Sequence, residues 1–218
     1  MKPKQFAVLG IGRFGENLIK ELVRMNYEVL AVDLDADLVE DAIEYSTHAV
    51  QADTMDEQVL KALGIKNFDA VIVAIGENIQ SNILTTILLK ELGVNKVVAK
   101  AKNAMHGKVL EKIGADVVIY PERDMAIKLA RSLASQNFLE QITLSTDYSI
   151  IEITTPNSFV NKNLVQIGVR AKMKVTVLAI RRGDEIIVVP GPDQDIIAGD
   201  VLVVLGHNQD LDALSDID

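Results

Sequence analysis

Six short apolar runs, each leading through a turn into a segment of helical periodicity, succeed one another over the first 120 residues. They are QFAVLG (5–10), YEVLAVD (27–33), THAVQAD (47–53), DAVIVAIG (69–76), NKVVAKA (95–101) and ADVVIY (115–120). Runs this rich in Val, Ile and Ala suit strands buried on both faces. The intervening segments carry apolar residues on one helical face: Phe14, Leu18 and Leu22, then Leu38, Val39 and Ala42, then Val59, Leu60 and Leu63. Gly64, Gly93 and Gly114 stand where C-terminal glycines end such helices. The alternation predicts a parallel sheet wound on both faces, a Rossmann-like α/β domain over residues 1–121. With 49% hydrophobic but only 4% aromatic residues, its core has to be aliphatic.

After Tyr120-Pro121 the pattern changes. Residues 122–141, ERDMAIKLARSLASQNFLEQ, read as one long helix with Met125, Leu129 and Leu133 on one face and Ile127, Ala130, Ala134 and Phe138 on another. A helix apolar on two sides predicts packing on two sides, as in a connector between domains or onto a second subunit. Residues 122–144 thus read as a crossover helix and linker. Beyond it, YSIIEITTP (148–156), KVTVLAIRR (174–182), DEIIVVPG (184–191) and DVLVVLG (200–206) read as strands. A short helix, NLVQIGVRAK (163–172), falls between the first two, and Gly183-Asp184 makes a tight hairpin turn. Residues 145–218 therefore read as a small α+β C-terminal domain.

Charge narrows the partners. The net charge is −9, from 31 acidic and 22 basic residues, and a surface of that sign repels nucleic-acid phosphates and anionic lipid. The absence of cysteine excludes a disulfide framework, a thiolate nucleophile and a zinc–thiolate site. With no secretory apolar region after Met1-Lys2-Pro3-Lys4 and no long apolar run, the expectation is a cytoplasmic chain that does not insert into a membrane. Any membrane role would pass through a partner.

The spacing Gly10-x-Gly12-x-x-Gly15 follows the first strand and opens the first helix. The first glycine permits a sharp turn, the second close approach of backbone to phosphate, and the third tight helix–strand packing. The phosphate would meet free N–H groups and the positive end of the helix dipole, with Phe14 in the first turn. Asp33 ends the second strand 18 positions after Gly15, where a carboxylate accepts hydrogen bonds from a ribose diol. Arg13 sits at the tip of the turn, where a guanidinium suits phosphates beyond those held by the helix end. That favours ATP or ADP and leaves NAD(H) open. Asp53 and Thr54 end the third strand and Ile75 and Gly76 the fourth, the carboxyl edge where open α/β sheets bind ligands. Asp53 is equally suited to cap the helical segment starting near Met55. Lys100 and Lys102 follow the fifth strand, as phosphate counter-charges or as solvated lysines. Glu122 reads either as an N-terminal helix acid or, in a dimer, as an oxygen ligand for Mg2+ or Ca2+ on a bound triphosphate.

His48, His106 and His207 have no carboxylate relay by spacing and read as surface or core-lining residues. A dehydrogenase would need an acid or base beside the nicotinamide, and residues 145–218 are poor in such groups. A nucleotide bound but not consumed is a signal, so no catalytic residue is assigned. The rival classes are an NAD(H)-dependent redox sensor or oxidoreductase and a nucleotide-binding regulator of a soluble partner.

FAVLGIGRFG (6–15), EVLAVD (28–33), VIVAIGENIQSN (71–82), KVLEKIGAD (108–116) with PERDMA (121–126), VRAKMKVTVLAI (169–180) and AGDVLVVLG (198–206) together resemble the RCK (KTN/TrkA) proteins. Within that family the chain is similar along its length to the gating subunits of bacterial Ktr-type potassium uptake systems. The resemblance implies dimers paired through the crossover helix, an octameric ring, and docking on a membrane K+-translocating subunit at the inner face of the membrane. It implies that ATP and ADP each favour a different ring geometry. Arg13 would approach the ATP γ-phosphate across the dimer, Glu122 would position a divalent cation there, and Asp33 would hold the ribose. It further implies a cyclic di-AMP site in the C-terminal domain, matching Ile167, Arg170, Ala171, Thr176, Val177 and Pro192.

Overall fold

A computed structural model of the chain describes residues 4–134 and 138–217. Strand β1 (Gln5–Leu9) leads into helix α1 (Arg13–Arg24), β2 (Glu28–Asp33) into α2 (Ala36–Ala42), and β3 (His48–Gln51) into α3 (Glu57–Ala62). Then follow β4 (Ala70–Val73), α4 (Ile79–Glu91), β5 (Val97–Lys100), α5 (Ala104–Lys112), β6 (Val117–Ile119) and α6 (Pro121–Ala134). The six strands pair in parallel in the order β3-β2-β1-β4-β5-β6. The order reverses between β1 and β4, and it is there that doubly wound sheets hold their ligands. Leu9, Val32, Val71, Val73 and Leu89 are buried on one face of the sheet and Val8, Ile19, Ala31 and Ile72 on the other, so the aliphatic runs do fill a two-sided core.

The second half continues with β7 (Phe138–Thr143), β8 (Tyr148–Thr154), β9 (Lys162–Asn163), α7 (Leu164–Ile167), α8 (Val169–Met173) and β10 (Thr176–Arg182). It closes with β11 (Glu185–Val188), β12 (Asp195–Ile196), β13 (Val201–His207) and α9 (Asn208–Ser215). An antiparallel five-stranded sheet runs β11-β10-β13-β8-β7, and β9 pairs with β12. Arg182 faces Glu185 across the expected hairpin, with Gly183 at φ 59°. The chain divides into two compact units, residues 1–124 and 125–218, with the division inside α6.

Two sequence readings change. The helix expected over 122–141 is described as far as Ala134; residues 135–137 and the side chains of Ala134 and Phe138 lie outside the described ones. Residues 138–143 form a strand instead, because β8 offers them an antiparallel partner and Ile142 and Thr143 are β-branched. The helical spacing read through that stretch had no competing long-range partner to weigh against. Helix 163–172 is broken at Gly168, φ 73°, into α7 and α8. Met125, Leu129 and Leu133 of α6 are exposed, as are Ile127 and Ala130. Among the described residues no helix is long and apolar enough to cross a membrane.

An ion pair with a buried carboxylate joins β10 to the turn before β13. Asp200 is fully buried, and its carboxylate accepts both the Arg182 Nε–H and Nη2–H at 2.9 Å and the Ile197 N–H at 3.0 Å. The Arg182 guanidinium holds the Asp200 carboxyl below its ordinary range, helped by the Ile197 N–H. A depressed folded-state pKa contributes stability above the unfolded value and loses it as pH falls through the folded one. Arg182→Met is expected to destabilise the chain by roughly 3 kcal/mol at neutral pH, because it strands a buried charge. Urea unfolding across a pH series should show that deficit narrowing in acid, as Asp200 protonates.

Candidate nucleotide site

The glycine turn is fixed by contacts that admit no side chain. Gly10 has φ +102°, and a Cβ there would lie 2.9 Å from the Ile75 nitrogen; one on Gly15 would lie 2.0 Å from the Gly10 carbonyl oxygen. Gly12 differs. Its φ is −65°, and a Cβ on it would meet nothing within 4 Å. Neither strain nor packing within the chain calls for glycine there, whereas a ligand pressed against the turn would.

Helix α1 is left open at its start. Asp35, Asp56, Asn78 and Asn103 cap α2, α3, α4 and α5 with their side chains. Gly12 supplies no such cap to α1, whose ladder begins with the Glu16 N–H donating to the Gly12 carbonyl. The preceding N–H groups of Arg13, Phe14 and Gly15 thus face the position an anion would take.

Asp33 locks the turn to β2. One carboxylate oxygen accepts the Ile11 N–H at 2.6 Å and the other the Asp35 N–H at 3.0 Å. Each oxygen keeps a lone pair for a further donor. Beside it a cavity of about 350 Å3 lies at the carboxyl ends of β1, β2, β3 and β4, lined by Gly10, Gly12, Asp33, Asp53, Thr54, Ile75 and Gly76 among others. That volume falls in the usual range for small-molecule sites. Asp35 and Glu77 add two carboxylates to its wall. Such a wall suits hydroxyl and amine donors and repels a ribose 2′-phosphate.

Positive charge lies beyond Gly12 and Gly76, outside that lining. Arg13 is exposed, and among the described residues its side chain has no ion pair or hydrogen bond. Lys100 Nζ lies 2.6 Å from Glu122 Oε1, 5.7 Å from the centre of the Phe14 ring, and 3.3 Å from where a Gly76 Cβ would stand. The Lys100 ammonium, with Arg13 adding a weaker attraction, holds the Glu122 carboxyl below its ordinary range. Among the described residues no group of three His, Cys, Asp or Glu could hold a metal ion by itself. A cation beside Glu122 would need phosphate oxygens to complete its shell.

Individual expectations fare differently. Asp53 accepts the Met55 N–H at 2.9 Å, so it shapes the loop while the cap of α3 is Asp56. Thr54 is buried, its hydroxyl 2.9 Å from that of Thr85 and so turned into the protein. Lys102 donates its backbone N–H to Nδ1 of the buried His106, whose imidazole burial pushes below its ordinary pKa. Sequence reasoning missed Asn82, fully buried in α4, and the cavity residues Asp35, Glu77 and Ser81. No local signal marked Asn82, which follows Gln80 and Ser81 in a helix of mixed polarity.

In the C-terminal unit a cavity of about 410 Å3 is lined by Arg170, Ala171, Val177 and Pro192, together with Val165 and Pro190. Thr176 is not part of its lining, and Ile167 is buried in the core.

Comparison with known proteins decides the family. The TrkA-N domain family matches residues 6–121 and the TrkA-C domain family residues 148–217. The chain belongs to the RCK (KTN/TrkA) family. It is 49% identical to the Ktr system potassium uptake protein A of Bacillus subtilis (strain 168), over 97% of this chain and 95% of that one. The Ktr system potassium uptake protein C of the same organism is 47% identical, over 95% of this chain and 94% of its own length. Among solved structures, the GsuK channel bound to NAD superposes with a TM-score of 0.68 at 20% identity, over 98% of this RCK chain and 39% of the channel. That likeness is one of fold.

The glycine contacts give a direct test. Gly15→Ala is expected to cost several kcal/mol, since the helix must move off the turn, whereas Gly12→Ala should change stability by less than about 0.5 kcal/mol. Thermal unfolding of the two variants beside the parent chain checks both.

Proposed function

We propose that this RCK chain is the nucleotide-sensing regulatory subunit of a Ktr-type potassium uptake system. ATP and ADP occupy the site at the β1–β4 reversal and each favours a different assembly geometry, which a membrane K+-translocating partner reads. The observation that carries this reading is the division of charge across the site. Carboxylates of Asp33, Asp35, Asp53 and Glu77 line the adenosine half, while the uncapped start of α1, Arg13 and Lys100 stand at the phosphate half. Asp33 takes the ribose hydroxyls. Arg13 takes the terminal phosphate, and its exposure allows that phosphate to belong to a neighbouring subunit. Glu122 gives one oxygen to Mg2+ or Ca2+ held on the triphosphate.

The assembly in this reading is a homodimer, paired through α6 and repeated into an octameric ring at the cytoplasmic face of the membrane. The names of the Bacillus relatives support the potassium uptake role, and the exposed apolar side chains of α6 support the pairing. The nucleotide is a signal and no reaction is assigned to it. The apolar cavity with Arg170 at its wall is the place for cyclic di-AMP, the arginine facing a phosphate.

A second reading, NAD(H) as the ligand, is favoured by Asp33 at the end of β2 and by the likeness in fold to a channel bound to NAD. Equilibrium binding separates the two. ATP is expected to bind more tightly than NAD+ or NADH, and Arg13→Ala to weaken ATP about tenfold, near 1.4 kcal/mol, with a smaller effect on ADP. Glu122→Gln should remove the gain in ATP affinity that Mg2+ or Ca2+ provides. Preferential NADH binding with a silent Arg13→Ala would overturn the ATP reading.

A further inference from the structure

Strands β4 and β5, which lead to Ile75 and Lys100, come apart at their carboxyl ends. Pairing of β4 with β5 stops at Val73 and Ala99. The next free N–H groups turn in opposite directions, that of Ala74 to the Leu9 carbonyl of β1 at 2.7 Å and that of Ala101 to the Ile119 carbonyl of β6 at 2.8 Å. The carbonyls of Ile75 and Lys100 are thereby left facing a gap in the ladder. Asn82 fills it. Its Nδ2 donates to Ile75 O at 2.7 Å and to Lys100 O at 3.0 Å, and the residue is fully buried.

Those two bonds fix which way the amide points, since an oxygen could not donate to either carbonyl. Its Oδ1 is then buried and meets no donor among the described residues. An unmade bond at that acceptor costs stability. What the amide does achieve is to tie Ile75, whose neighbour Gly76 lines the nucleotide cavity, to Lys100, whose ammonium holds Glu122 at the start of α6. The backbone of α4 holds Asn82 in place, with its N–H on Asn78 O at 3.1 Å and its carbonyl accepting the Thr86 hydroxyl at 2.8 Å.

We propose that Asn82 is a positioning residue that couples the nucleotide cavity to the Lys100–Glu122 ion pair. A phosphate chain pressing on the Ile75–Gly76 backbone shifts the first carbonyl, and the shared Nδ2 carries that shift to Lys100. The ammonium then moves between Glu122 and phosphate as one unit with the cavity wall. This inference rests on the nucleotide reading proposed above.

A double-mutant cycle on the full chain tests it, with ATP binding measured by calorimetry for the parent, Asn82→Ala, Lys100→Met and the combination. Each single change is expected to weaken ATP binding about tenfold, and the combination to be no weaker than the worse single change, because both break the same link. If the two losses multiply, or if Asn82→Ala lowers only the melting temperature and binds ATP as the parent does, the coupling is refuted. Asn82→Ser, which keeps one donor, serves in the same cycle should the alanine variant not fold. Failure of the unaltered protein to bind ATP or ADP would remove the nucleotide reading and this inference with it. Multiplying losses would remove the inference alone.

Discussion

Everything at the carboxyl edge of the first sheet depends on one close approach, that of helix α1 to the turn that launches it. At Gly15 the separation leaves no room for a methyl group, the space being filled by the Gly10 carbonyl. Because the helix starts this near the strand end, its first N–H groups sit beside the β1–β4 reversal. The same nearness brings Ile11 within reach of Asp33, so turn, helix and second strand become one rigid corner. Rigidity of this kind lowers the entropy lost when a ligand is held.

Around that corner the charges are sorted. A net charge of −9 would by itself repel polyphosphates, yet Asp33, Asp35, Asp53 and Glu77 line the cavity while Arg13 and Lys100, the latter paired with Glu122, stand outside that lining. The sorting is local. Net charge governs encounter with large polyanions, while binding of a small one follows the groups within a Debye length or less. The acidic surface and a corner able to take a small anion therefore do not conflict.

The parts of this architecture that are written locally were readable from the sequence. Six apolar runs and the glycine spacing give the parallel sheet, and Asp33 follows from its distance to Gly15. What escaped depends on partners far along the chain. Strand β7 exists because β8 pairs with it, and helix α9 because Leu211 and Leu214 find the C-terminal core. Thr54 sits at the expected edge but turns towards Thr85, which only the packing of α4 decides. Asn82 gave no local signal, since it follows Gln80 and Ser81 in a helix of mixed polarity and its bond to Lys100 spans 18 residues of chain.

The doubly bonded carboxylate of Asp33 has one more consequence. Its geometry is settled before any ligand arrives, so every adenine nucleotide would be greeted by the same fixed contacts on its nucleoside. Such a contact is a common-mode signal: it reports occupancy and cancels in any comparison of one nucleotide with another. In the proposed reading, discrimination between nucleotides would come from groups outside that fixed corner. Those are Arg13, exposed at the tip of the turn, and Glu122, whose exposed carboxylate is held by the largely buried Lys100. Both lie outside the cavity lining, where a neighbour in the proposed assembly would share in that discrimination.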